Sequence, residues 1–201
     1  MLTKLKKQIQ ALLTSEATYA HGIGLTPNAV SCLGIVLALL SAIAYWRAST
    51  STFLLALAMV FLLLSGFCDA LDGALARLYG QITVFGGFLD SLLDRYADAA
   101  VLTGIVLGGF ADFSWGFIAV VGTLLVSYVR ARAEAAGVKM ESIGIAERAE
   151  RILILVVASL VALVWFDALW WSVVLLAFLT NITVLQRVIY FYRAVKKKTT
   201  V

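Results

Sequence analysis

With one proline, one histidine, two cysteines and only 14% charged residues among 201, the chain lacks what several protein classes require. A lone proline, Pro27, leaves long helices almost uninterrupted. Cys32 and Cys68 have no companions at metal-ligand spacing and read as small packing residues. His21 has no identifiable catalytic partner. The shortage of charge accompanies an apolar share of 62% and a mean hydropathy of +0.97, where a soluble domain has about 45–50%. The apolar runs are continuous rather than alternating, which argues against a transmembrane β-barrel. The basic N-terminal stretch is not followed by the short apolar core and small-residue site of a cleavable signal, so none is expected. A net charge of +4 is read as topology and lipid attraction, and no nucleic-acid partner is expected.

The expected fold is an all-α integral membrane protein with six transmembrane helices and an N-terminal amphipathic interfacial helix over residues 2–18. Residues 1–201 form one membrane domain, with spans about 28–46, 52–77, 83–108, 114–134, 147–166 and 169–194. Thr26-Pro27-Asn28 opens the first span, since proline suits a helix start. Basic residues such as Lys4, Lys6, Lys7, Arg77, Arg130, Arg132, Lys139, Arg148, Arg151, Arg193 and Lys196 fall on one side of this arrangement. The positive-inside rule makes that side cytoplasmic, with both termini there, in the cell membrane. Trp46, Trp115, Trp165, Trp170 and Trp171 fall at the opposite span ends, as an interfacial belt would.

Against this apolar background, four aspartates stand at the cytoplasmic ends of spans two and three. They form D-x-x-D-G-x-x-A-R, eight spacers, then G-x-x-x-D-x-x-x-D, on Asp69, Asp72, Gly73, Ala76, Arg77, Gly86, Asp90 and Asp94. A carboxylate at a bilayer centre costs about 2.5–3.5 kcal/mol on insertion scales, so four near one depth need compensation. Asp69, Asp72 and Ala76 share one helical face, and Gly86, Asp90 and Asp94 share another. If the turn between them folds the spans together, the carboxylates converge on a site suited to Mg²⁺ or Mn²⁺, which prefer hard oxygen ligands. Such an ion can hold a pyrophosphate, and a carboxylate not taken up by it can accept a proton from an attacking hydroxyl; Asp94 is the choice for that base. Gly73, Ala76 and Gly86 leave room for a flat ligand, and Arg77 can meet a phosphate. A divalent-cation transporter would also carry intramembrane carboxylates. Their clustering at one end, with no acidic residues lining the outer half, argues against it.

At every defined position, residues 69–94 resemble the signature of the CDP-alcohol phosphotransferases. Length, six spans and the T-P-N opening of span one are similar too. The resemblance implies a metal-dependent transferase that moves a phosphatidyl-type group from a CDP-linked lipid to a small alcohol and releases CMP. It implies metal binding by Asp69, Asp72 and Asp90, with Asp94 as shared ligand and general base. It also implies CDP binding through Asp69, Asp72, Gly73, Ala76, Arg77 and Gly86, and a homodimer.

A second cluster lies between spans four and five, in S-Y-V-R-A-R-A-E and G-I-A-E-R-A-E-R. Arg187 sits within span six and asks for an anionic partner, which a phosphate on the acceptor would supply. The plainer reading is that these arginines obey the positive-inside rule or pair with Glu134, Glu147 and Glu150. Arg132 and Arg148 are given to that reading. The two pieces resemble the branch of the family that uses inositol phosphate, which implies an acceptor-phosphate pocket of Ser127, Arg130, Arg151 and Arg187. The expected acceptor is therefore inositol 1-phosphate, with glycerol 3-phosphate or serine as alternatives. The expected donor is CDP-archaeol or CDP-diacylglycerol. Asp98, one turn beyond Asp94, is expected to pair with Arg95 or a neighbouring helix.

Overall fold

A computed structural model describes residues 13–140 and 143–199, the side chains of 197–199 excepted. Residues 13–22 are helical (α1), and the part of the expected amphipathic helix before residue 13 lies outside the described residues. Six helices follow: α2 Pro27–Arg47, α3 Thr52–Leu78, α4 Val84–Leu107, α5 Phe113–Ala135, α6 Arg148–Ala162 and α7 Ala168–Thr199, with a 3₁₀ turn at Ala48–Thr50. There are no strands among the described residues.

The helix starts are written locally. Thr26 caps α2 by accepting a hydrogen bond from the Ala29 amide at 3.3 Å, with Pro27 in the first turn. Ser51 caps α3 through the Leu54 amide at 3.4 Å, and Thr83 caps α4 through the Gly86 amide at 2.9 Å. Gly80 takes a φ of 64° in the turn that sends the chain from α3 back into α4, a conformation glycine adopts without penalty.

Among the described residues, four helical segments are long and apolar enough to cross a membrane: Pro27–Thr50, Thr52–Leu78, Phe113–Ala135 and Ala168–Lys196. The third and fifth expected spans are less clear-cut, for different reasons. In α4 the apolar run is broken by Asp90, Asp94, Arg95 and Asp98. α6 ends at Ala162, and a turn occupies the last residues of the expected 147–166 span. The bundle surface is apolar, with Leu33, Val36, Phe53, Leu63, Phe117 and Phe178 all exposed, as suits a membrane protein.

Inside, the helices approach through small residues. Gly104 of α4 faces the backbone of Ala42 of α2 so closely that a Cβ would collide with it. Ser41 donates to the Ala58 carbonyl at 2.8 Å and Ser65 to the Gly34 carbonyl at 2.9 Å, pinning α2 to α3. Tyr45 and Ser159 share a 2.6 Å hydrogen bond that ties α2 to α6. These contacts fix α2, α3 and α4 as one unit, and α5 and α7 pack against each other beside it. The result is that the end of α3, the start of α4, the end of α5 and the start of α6 share one end of the bundle.

Candidate active site

Asp69 and Asp72 lie in the last turns of α3, and Asp90 and Asp94 in the first turns of α4. The two faces meet as the helical spacing requires. One carboxylate oxygen from each of Asp69, Asp72 and Asp90 lies within 4.8 Å of the others. That is close to the about 4.2 Å between opposite oxygens around Mg²⁺, given its bond length of about 2.1 Å. Three hard, anionic donors at this spacing fit Mg²⁺ or Mn²⁺. Asp94 does not join this group. Its Oδ1 is instead 2.9 Å from Nη1 of Arg148.

Two cavities flank the carboxylates. On one side a space of about 290 Å³ is lined by Asp72, Gly73, Ala76, Arg77, Gly86 and Asp90, together with Pro27, Asn28, Ser31 and the 81–83 turn. Five of the six residues expected to bind CDP are here. The sixth, Asp69, lines a narrow gap that runs between the cavities past Asp72, Asp90 and Asp94. Gly86 is tightly placed: a Cβ there would lie 2.8 Å from Thr83 Oγ1 and 3.0 Å from Asn28 Oδ1. At Gly73 the nearest neighbour would be the flexible end of Arg77. Asp72, 6% exposed, accepts a hydrogen bond from Ser31 of α2, a contact not evident in the motif.

On the other side lies a larger cavity of about 430 Å³, lined by Asp90, Asp94, Asp98, Glu134, Glu147 and Arg148 and by all four expected acceptor residues, Ser127, Arg130, Arg151 and Arg187. Their settings differ. Arg130 is half-exposed and pairs with Glu134 at 3.0 Å, one helical turn on. Arg187 is buried; its Nε donates to the Ile143 carbonyl at 2.8 Å and its Nη1 to the Val126 carbonyl at 2.6 Å. Its third nitrogen, Nη2, stands 3.8 Å from Glu147. Arg151 is buried as well, donating to Asp98 Oδ2 at 2.6 Å and to the Ala146 carbonyl at 2.9 Å.

One assignment made from sequence changes here, that of Arg148, and one is resolved, that of Asp98. Arg148, read above as a surface charge, reaches from the first residue of α6 into the aspartates. Its Nη1 is 2.7 Å from Asp69 and 2.9 Å from Asp94. These are ion pairs rather than aligned hydrogen bonds, because neither Nη1 nor Nε of Arg148 has a partner in hydrogen-bond geometry. Asp98 pairs with Arg151 and, at 3.7 Å, with Arg148 Nε, both from the neighbouring α6. Arg95 instead bonds the Ser91 carbonyl of its own helix. Arg132, also read as a surface charge, does not line the cavity. His21 stacks on Tyr79 with ring centroids 3.7 Å apart.

Comparison with known proteins returns the same chemistry. Residues 24–153 match the family model of CDP-alcohol phosphatidyltransferase. The chain is 41% identical over 197 residues to the archaetidylinositol phosphate synthase of Pyrococcus horikoshii, covering 98% of each chain. It is 41% identical over 181 residues to the archaetidylinositol phosphate synthase of Methanothermobacter thermautotrophicus, covering 88% of each. Among solved structures it resembles the Mycobacterium tuberculosis phosphatidylinositol phosphate synthase with CDP-DAG bound. That match has a TM-score of 0.78 and 30% identity over 90% of this chain and 94% of the other. The same mycobacterial protein in complex with manganese and citrate gives a TM-score of 0.78 at 30% identity over 90% and 88% of the two chains.

Proposed function

The chain belongs to the CDP-alcohol phosphatidyltransferase family, and from that premise we propose that it transfers a phosphatidyl-type group from a CDP-linked lipid to inositol 1-phosphate, releasing CMP. The observation that carries this reading is the pair of cavities meeting at one set of carboxylates. One is lined by small residues and Arg77, the other by Ser127, Arg130, Arg151 and Arg187. The glycine-lined side takes the CDP portion of the donor. The arginine-lined side takes the phosphate of the acceptor, which planar guanidinium groups suit. The identity to two archaetidylinositol phosphate synthases favours CDP-archaeol as donor over CDP-diacylglycerol, although CDP-DAG is what the mycobacterial relative was crystallised with.

In the proposed reaction, Asp94 faces the acceptor cavity and takes the proton from the attacking hydroxyl of inositol phosphate. The hydroxyl oxygen bonds to the lipid-side phosphorus as the bond from that phosphorus to the oxygen shared with CMP breaks, and CMP departs with the electron pair. Asp69, Asp72 and Asp90 would hold the divalent cation, which supplies charge neutralisation for the leaving group and the reacting phosphoryl oxygens. Arg77 steadies the phosphate on the nucleotide side. Arg130 exchanges its pairing with Glu134 for the acceptor phosphate. Buried Arg151 and Arg187, held by Asp98 and by backbone carbonyls, provide fixed positive charge that needs no rearrangement during reaction.

We further infer six spans with both termini cytoplasmic, in the cell membrane, and a homodimer. Helix α4 has 24 residues, a length of about 36 Å at the helical rise, enough to cross with its charged face turned inward. Helix α6 has 15 residues and reaches only about 22 Å by the same rise. The turn that follows, up to Ala168, completes the crossing.

An acceptor screen with the purified protein tests this reading. CMP release from CDP-lipid should require a divalent cation and inositol 1-phosphate. Unphosphorylated inositol, serine and glycerol 3-phosphate should be poor substitutes. Preference for glycerol 3-phosphate or serine would overturn the acceptor assignment, and cation flux into liposomes without CMP release would overturn the enzyme.

A further inference from the structure

Glu147 stands just before α6, where a carboxylate often folds back to cap the free amides of the first turn. It makes no such cap bond. The carboxylate turns instead into the larger cavity, which it lines beside Arg151 and Arg187. Its Oε1 is 3.8 Å from Nη2 of Arg187 and has no hydrogen-bond partner. The side chain is still 39% exposed, so a molecule in the cavity can reach it. The other acids on this wall have roles already. Asp90 and Asp94 belong to the motif, Asp98 is joined to Arg151 at 2.6 Å and Glu134 to Arg130 at 3.0 Å. The loop that carries Glu147 is moored on α7. Gly144, with a φ of 120°, approaches so closely that a Cβ would lie 2.4 Å from Cγ2 of Thr183. The Ala146 amide donates to Thr183 Oγ1 at 3.2 Å, the Ala146 carbonyl accepts from Arg151, and the Ile143 carbonyl accepts from Arg187. The two buried arginines of the cavity therefore also hold the segment that presents Glu147.

A fixed carboxylate among phosphate-binding arginines works against a bare phosphate, because like charges repel strongly away from bulk water. It favours an acceptor whose hydroxyl groups lie near the phosphate, since an ionised carboxylate accepts hydrogen bonds and donates none. Building on the transferase reading above, we propose that Glu147 is a specificity-determining residue, which accepts hydrogen bonds from ring hydroxyls of inositol 1-phosphate while the arginines hold its phosphate. Arg187 and Glu147 then read the two chemical halves of one acceptor from neighbouring positions. A phosphate without hydroxyls in reach meets the repulsion and gains nothing in return. A carboxylate has two oxygens and can take adjacent hydroxyls together, which suits a ring polyol better than the short chain of glycerol 3-phosphate. A site built to bond a hydroxyl discriminates strongly against a molecule that lacks it.

The test compares two constants in CMP release by the full-length protein in detergent micelles. One is KM for inositol 1-phosphate, and the other is Ki for inorganic phosphate as its competitor. Glu147→Gln keeps the size of the side chain and removes its charge. It should raise KM roughly tenfold, the scale of a hydrogen bond to a charged group. Ki should stay the same or fall, because a charge that repels phosphate has gone. Glu147→Ala should show the same split more strongly. Neither change removes a hydrogen bond that the side chain makes within the fold. If Glu147 only balanced the charge of Arg187, both constants would fall together. If it only supported the loop, both would rise together. Any result other than a rise in KM without a rise in Ki would overturn the proposal. No CMP release by the wild-type protein with inositol 1-phosphate would instead defeat the acceptor reading on which the proposal rests, whereas normal wild-type release with an unchanged KM in Glu147→Gln would defeat the role of Glu147 alone.

Discussion

Truncating Asp98 to alanine should destabilise the protein far more than an average substitution. Arg151 is 5% exposed, and Asp98 Oδ2, 2.6 Å from its Nη2, is its carboxylate partner. The Ala146 carbonyl satisfies a second nitrogen at 2.9 Å, while Nε has no hydrogen-bond partner. Asp98→Ala thus leaves a buried cation with one neutral acceptor and no counter-charge. Breaking one side of such a buried pair costs about 3–5 kcal/mol, and the weaker approach of Asp98 to Arg148 at 3.7 Å adds to it. Both side chains are largely buried, at 12% and 6% exposure, so solvent from the adjoining cavity replaces the carboxylate poorly. Replacing both partners with apolar residues of similar volume, as in Asp98→Leu with Arg151→Met, should recover much of the loss, because no unpaired charge remains. Reversible unfolding in mixed micelles by added dodecyl sulfate measures these two variants and the single variants Asp98→Leu and Arg151→Met. A cost for Asp98→Ala below about 1 kcal/mol, the size expected of an exposed pair, would refute the reasoning. So would a double variant as unstable as the two single variants summed.

Asp94→Asn should keep Mn²⁺ and nucleotide binding, since Asp94 stands outside the three-oxygen group, and should lose turnover by about 10²–10⁴-fold, the usual contribution of a general base. Normal turnover in that variant would remove Asp94 from the base role. Gly104→Ala should cost about 1–3 kcal/mol in the same unfolding assay, the range for overpacking, because its Cβ meets backbone of Ala42 that cannot rotate away. A neutral outcome would mean that α2 and α4 are less closely joined than described.

Much of this site was legible in the sequence, for reasons that separate local from tertiary information. The spacings of Asp69–Asp72 and Asp90–Asp94 set helical faces, and short-range geometry is all that those faces needed. Ser127, Arg130, Arg151 and Arg187 came from resemblance to the inositol-phosphate branch, and they line one cavity. Arg148 and Asp98 were undervalued because their importance depends on where α6 lies against α4. The chain between α5 and α6 carries no periodic pattern that places α6. Ser31 escaped notice for the same reason, since its contact with Asp72 is made between α2 and α3. The span count was hardest to read where function interferes with hydropathy. Charged residues of the candidate site interrupt α4, and α6 begins with arginines that line its cavity.

Two cavities, one for each substrate, on either side of one set of carboxylates are the core of this account, and paired Michaelis constants test it most directly. Gly86→Val intrudes on the smaller cavity, where even a Cβ meets Thr83 and Asn28; Arg130→Gln removes a charge from the larger. The expected result is a raised KM for CDP-lipid alone in the first variant and a raised KM for inositol 1-phosphate alone in the second. If either substitution shifts both constants together, or each shifts the opposite one, the division of the site into a donor side and an acceptor side is wrong.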